Sequence, residues 1–165
     1  MELKNILKRK GYIRIKLKKI NTNHFELKGK LNGIKGRFIL DTGASNSCVS
    51  IDLIEKFNLT AKDSETKAAG AGAIGMETKI AKSTVIEINN WCYKNFTIVL
   101  FDLSHVNTAL TEHGADAVDG IIGADILEKG KAIIDYDTKC LYLKKLVYKF
   151  KKKKSRAQGS ASIIK

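Results

Sequence analysis

The chain has 165 residues, 44% of them hydrophobic, with 30 Lys+Arg against 17 Asp+Glu, no proline and a net charge of +13. That is the length of one domain with enough apolar content for a core, which excludes wholesale disorder, and the missing proline excludes polyproline segments and proline-rich linkers. The charge sits at the ends: residues 1–20 carry +7 and residues 138–165 carry +10, which leaves a body of −4 that does not act as a cationic surface.

In chain order, residues 2–10 place Leu3, Ile6 and Leu7 at helical spacing, and Gly11 follows as a stop. Residues 12–19 alternate apolar and basic, the pattern of a strand with one wet face. Residues 24–31 and 33–40 alternate around Asn32-Gly33, whose tolerance of positive φ predicts a tight hairpin. Residues 51–59 put Ile51, Ile54 and Phe57 on one helical face behind Ser50, a plausible N-cap. Residues 77–88 and 91–101 read as strands joined at Asn89-Asn90. Residues 102–114 suit a helix capped by Asp102 or Ser104 and stopped at Gly114, and 123–130 a short helix between glycines. Residues 131–137 and 139–150 make a last hairpin through Asp137-Thr138. These elements divide into a basic extension over 1–20, a body over 21–150 and a basic disordered tail over 151–165.

Cys48, Cys92 and Cys140 are odd in number and widely spaced, which fits neither a disulfide framework nor a zinc site and predicts free, buried thiols. His24, His105 and His113 do not cluster at ligand spacing, so no metal and no cofactor is expected. The opening MELKNILKRK has no apolar run of signal-peptide length, and no stretch of 18 apolar residues exists, so the expected setting is soluble and cytoplasmic, with no membrane span. The basic ends read first as solvated, and contact with nucleic acid is expected only through them.

The chemistry-bearing segment is Phe38-Ile39-Leu40 running into Asp41-Thr42-Gly43-Ala44-Ser45. An apolar strand delivers a carboxylate into a tight turn, and Gly43 leaves its N–H free to face Asp41. An Asp-Thr-Gly turn alone is better explained as a structural turn than as a catalytic one. A second segment, Asp119-Gly120-Ile121-Ile122-Gly123-Ala124-Asp125-Ile126-Leu127, stops a buried strand at a glycine and opens a short helix. Between them, Gly70-Ala71-Gly72-Ala73-Ile74-Gly75 matches a dinucleotide fingerprint literally, but no buried strand precedes it and no helix follows. Met76 stands where a phosphate-binding loop needs Lys.

Together these segments resemble the retropepsin-like, single-domain aspartic proteases over about residues 22–145. The resemblance implies a mainly β fold: a closed, Greek-key-like barrel with two or three short helices and a flap hairpin. It implies an aspartic endopeptidase in which Asp41 of two identical subunits forms the catalytic dyad on a peptide or protein substrate. Thr42, Gly43, Ala44 and Ser45 would support the catalytic loop, and Ile121, Ile122, Gly123 and Asp125 would form the second element. Gly70, Ala71, Gly72, Ala73, Ile74, Gly75 and Met76 would be the flap over the substrate. Two positions depart from the retroviral pattern, with Ala124 in place of Arg and Ser45 in place of an acid, which removes a charged support of the dimer. The alternative expectation is a peptide-binding or dimerisation module of this fold with little turnover.

Overall fold

The computed structural model describes residues 2–64 and 77–149. Both the flap expectation at 70–76 and the tail expectation at 151–165 lie outside those residues.

Helix α1 (Leu3–Arg9) ends at Gly11, whose φ of +80° only a residue without Cβ adopts readily. Strand β1 (Tyr12–Lys16) follows, then β2 (Lys18–Lys19). The single strand expected over 12–19 is broken because Leu17 turns inward and the chain changes sheets there. Leu17 N–H donates to Lys139 O at 2.9 Å, and its side chain is buried. β3 (Phe25–Leu31) and β4 (Ile34–Leu40) form the expected hairpin, with Asn32 and Gly33 at φ +48° and +82°, the two positive values a type I′ turn needs.

After the loop at 41–47 come β5 (Cys48–Ser50), a single 3-10 turn (Ile51–Leu53) and β6 (Ala61–Asp63). The helix expected over 51–59 stops after that turn: Ser50 gives no side-chain cap, and Asn58 at φ +50° reverses the chain. Phe57 still faces the core and is fully buried, so the apolar spacing was real although its geometry was not α-helical.

The remaining elements are β7 (Lys79–Ile88), β8 (Trp91–Phe101), α2 (Ser104–Glu112), β9 (Gly120–Ile122), α3 (Ala124–Lys129), β10 (Ile133–Asp135) and β11 (Cys140–Lys144). The last hairpin is shorter than expected, because Asp135 folds its connection by accepting from the N–H groups of Asp137 and Thr138.

Six strands close into a barrel in the order β3-β4-β9-β5-β8-β7, and β7 returns to β3 through Leu31 and Ile86. β4–β9 and β5–β8 are parallel pairs, and the rest of the ring is antiparallel. Closure needs backbones to approach. A Cβ on Gly29 would stand 2.9 Å from Glu87 O, so glycine is what fits there. Asn32 fastens the seam: its backbone and side chain bind both Val85 O and Val85 N–H, and its Nδ2 donates to Phe57 O at 2.9 Å. Register shifts in β7 between Ala81 and Ile86 bend it around the barrel.

The core holds Phe38, Phe57, Trp91, Ile98, Leu100, Ile122 and Ile126, all fully buried. A second, three-stranded sheet, β1-β11-β10, packs Ile15, Leu141 and Leu143 onto the same core, so strand 12–16 folds with the body. Trp91 Nε1 donates to Lys144 O at 2.9 Å and ties the two sheets together. The mainly β barrel and its three helices are as the sequence implied.

Candidate active site

β4 lies between β3 and β9, paired as Phe38↔Gly120, Ile39↔Ile121 and Leu40↔Ile122. The ladder runs one residue further: Asp41 N–H donates to Ile122 O at 3.0 Å. The backbone of Asp41 is thereby fixed to a segment 81 residues further along the sequence. The chain then turns, with Ala44 N–H reaching Asp41 O at 3.3 Å. Gly43 N–H donates to Asp41 Oδ1 at 2.8 Å, the contact the Asp-Thr-Gly pattern suggested. Asp41 is partly exposed.

The loop is docked on α3. Ala124 N–H donates to Ala44 O at 2.8 Å, and a Cβ on Gly123 would sit 2.6 Å from that same oxygen. Asp125 Oδ1 accepts from Ser47 N–H at 2.9 Å, Ser47 Oγ at 2.6 Å and Ile126 N–H at 2.8 Å. Ser47 Oγ in turn accepts from Gly123 N–H at 2.8 Å. One buried hydroxyl thus joins both halves of the site. Ser47 was missed by the sequence argument. The available signal was a serine set directly before the apolar pair Cys48-Val49, where alternation would bury it.

Gly120 was named in the second segment but given no role of its own. A Cβ there would lie 2.3 Å from Cys48 O, so β5 and β9 can approach only at glycine. Asp119 precedes it and braces the middle of β4: its N–H donates to Arg37 O at 2.8 Å and its Oδ2 accepts from Arg37 N–H at 2.8 Å.

The structure therefore brings Asp41, Thr42, Gly43, Ala44 and Ser45 against Ile121, Ile122, Gly123 and Asp125. Thr42, Gly43 and Ser45 are exposed on the outer side of the loop. Thr42 and Ala124 line an open cleft of about 350 Å³ together with Leu127, Ala132 and Ile134 and the charged Glu128 and Lys131. Burial pushes the Cys48 thiol up to about 12, and the negative charges of Asp125 and Asp41 push in the same direction. Cys48 is thus a neutral packing group, not a nucleophile. Among the described residues no group of three or more His, Cys, Asp or Glu is placed to hold a metal ion. No helix among them is long and apolar enough to cross a membrane.

Chemically, one oriented and partly exposed carboxylate can take or give a proton, but it cannot do both in one step.

Comparison with solved structures finds similar folds. A retropepsin-like aspartic protease from Rickettsia conorii matches with TM-score 0.51 and 20% identity over 81% of this chain and 90% of that one. The protease of EIAV, solved with the inhibitor HBY-793, matches at TM-score 0.46 and 19% identity over 62% and 84%. The retroviral protease-like domain of Ddi1 from Leishmania major matches at 0.49 and 17% over 72% and 86%. No curated protein matches. The family model described as aspartyl protease matches residues 27–126, from within β3 to the middle of α3, and includes Asp41 and residues 119–126 of the second segment. The chain belongs to the aspartyl protease family, with a retropepsin-like fold.

Proposed function

We infer that the protein is an aspartic endopeptidase whose active centre is completed by a second copy of the chain. The observation that carries this is Asp41, held by the Gly43 N–H and by Ile122 O, partly exposed, and alone as a carboxylate on its loop. Two such loops related by a twofold axis would bring two carboxylates together, and close like charges then share one proton. The ionised member deprotonates a water between them, and that water attacks the scissile carbonyl. The protonated member donates a hydrogen bond to the developing oxyanion. The exposed side of the loop, with Thr42 and the adjoining cleft, is the surface on which the second copy would seat.

Ala124 in place of the family's Arg favours a second reading, in which the fold binds peptide or dimerises with little turnover. A peptide library at pH 4 to 7, with and without a pepstatin-type inhibitor, separates the two. Inhibitor-sensitive cleavage that Asp41→Asn abolishes, in a protein that still folds and sediments as a dimer, supports the endopeptidase. Full cleavage by Asp41→Asn, or a strict monomer that cleaves, would sink the dyad. A folded dimer without cleavage favours the module.

A further inference from the structure

The body's charge of −4 conceals a local reversal. Residues 28–37 hold Lys28, Lys30, Lys35 and Arg37 and no acid, a balance of +4, so the rest of the body stands at −8. Folding gathers these cations instead of spreading them. In the β3–β4 register Lys28 lies opposite Arg37 and Lys30 opposite Lys35, and across the β3–β7 seam Lys30 lies opposite Glu87. Two like-charge pairs directly across a ladder oppose pairing, so their presence needs a compensating charge.

Arg37 has that compensation within the chain. Its guanidinium meets Glu26 at 3.4 Å and Asp116 at 3.0 Å. The neighbouring acid, Asp119, is occupied by Lys56 at 2.7 Å. The three lysines are exposed and have no ion-pair partner among the described residues. They line a concave cleft of about 540 Å³ in which Glu87 is the one acid not engaged in an ion pair.

The cleft also joins the N-terminal charge. Asn89 on its rim donates to Arg14 O in β1 at 3.3 Å, so the basic strand Tyr12–Lys16 borders it. From residue 1 to residue 37 the chain carries 12 cations and 2 acids, a balance of +10. The cleft lies at the opposite end of β4 from Asp41, about 13 Å away at Arg37 and about 20 Å at Lys35, given about 3.3 Å per strand residue.

We propose that this cleft binds the phosphate backbone of a nucleic acid, with Lys28, Lys30 and Lys35 as its phosphate contacts. Lys28 and Lys30, two residues apart on one strand, are separated by about 6.6 Å, close to two phosphate rises of about 3.4 Å along a DNA strand. The contacts are ammonium point charges with no aromatic residue in the cleft lining, which suits sequence-independent binding. The length of the basic surface favours a polyanion over a short acidic peptide. The proposal does not depend on peptidase activity.

The test is fluorescence anisotropy with the full chain and a labelled 20-base-pair DNA duplex or a single-stranded RNA of equal length, from 50 to 200 mM NaCl. The triple variant K28Q/K30Q/K35Q should lose about tenfold or more in affinity, and the log–log salt slope for the duplex should shrink by about 2.7. Lys30→Gln alone should remove about 0.9 of that slope, so a misfolded triple variant does not decide the matter. The arginine triple should retain binding. Three outcomes overturn the site: parental binding by the cleft triple, an equal loss in the control triple K62Q/K82Q/K139Q, or competition by polyglutamate as effective as by the oligonucleotide. Binding of both nucleic acids with the expected slope change, or of one alone, supports it and names the source of the phosphates.

Discussion

Ser47 carries more of the candidate site than its size suggests. Its hydroxyl donates to Asp125 and accepts from Gly123 N–H, both on the far side of the loop. Ser47→Ala leaves that N–H buried without its partner, which costs about 1–3 kcal/mol. The expected result is a lower urea midpoint with an unchanged m-value and, if cleavage is established, a fall in kcat larger than the change in KM. An unchanged midpoint would show that the loop is held elsewhere. The two site segments could be read from sequence because each pairs an apolar run with a glycine and a carboxylate within a few residues. Ser47 offered only its place before Cys48-Val49, because the partners that give it a role lie 76 and 78 residues away.

Two loop carboxylates show how the elements are joined. Asp102 accepts from Ser104 N–H and Ser104 Oγ at the start of α2, and Asp135 accepts from Thr138 Oγ1 and from the N–H groups of Thr138 and Asp137 between β10 and β11. The Ser104 hydroxyl holds the Asp102 carboxyl below the ordinary carboxylate range, and the Thr138 hydroxyl does the same for Asp135. A depressed folded value means stability that is present above the unfolded value of about 3.9 and lost as pH falls through the lower folded value. The urea midpoint should therefore drop below about pH 4, and Asp102→Asn with Asp135→Asn should flatten that drop. Parallel pH curves for parent and variant would exclude these carboxylates as its source. The turn at Asp102 was legible because an Asp, a Ser and an apolar run stand together, but neither Asp102 nor Ser104 is the N-cap: that position is Leu103, which makes no side-chain cap bond. The hairpin at Asn32-Gly33 was legible for the same local reason. β5 and β6, three residues each, were not, because their strand geometry comes from neighbours: β5 is paired between β9 and β8, and β6 along β7. The helical spacing over 51–59 misled because a 3-10 turn followed by bends can present the same apolar face to a core.

At the scale of the whole molecule, the ring of strands was implied by family resemblance and its seam was not. Closure depends on Gly29 approaching Glu87 O and on Asn32 fastening Val85, pairings that no periodicity records. The net charge also changes meaning at this scale, since one hairpin of an acidic body carries the opposite sign. The parallel pair β4–β9 has a further consequence, in time. A chain made from its N-terminus presents Asp41 long before Ile122, Gly123 and Asp125 exist to register it. Contacts between distant segments form late in folding, because loop closure must precede them. On refolding from urea, sheet signal should therefore rise before Trp91 reaches its native emission and before any cleavage appears, and simultaneous recovery would contradict this. The proposed catalytic loop could then not be set on a growing chain until residues 120–125 had folded onto β4 and Ser47.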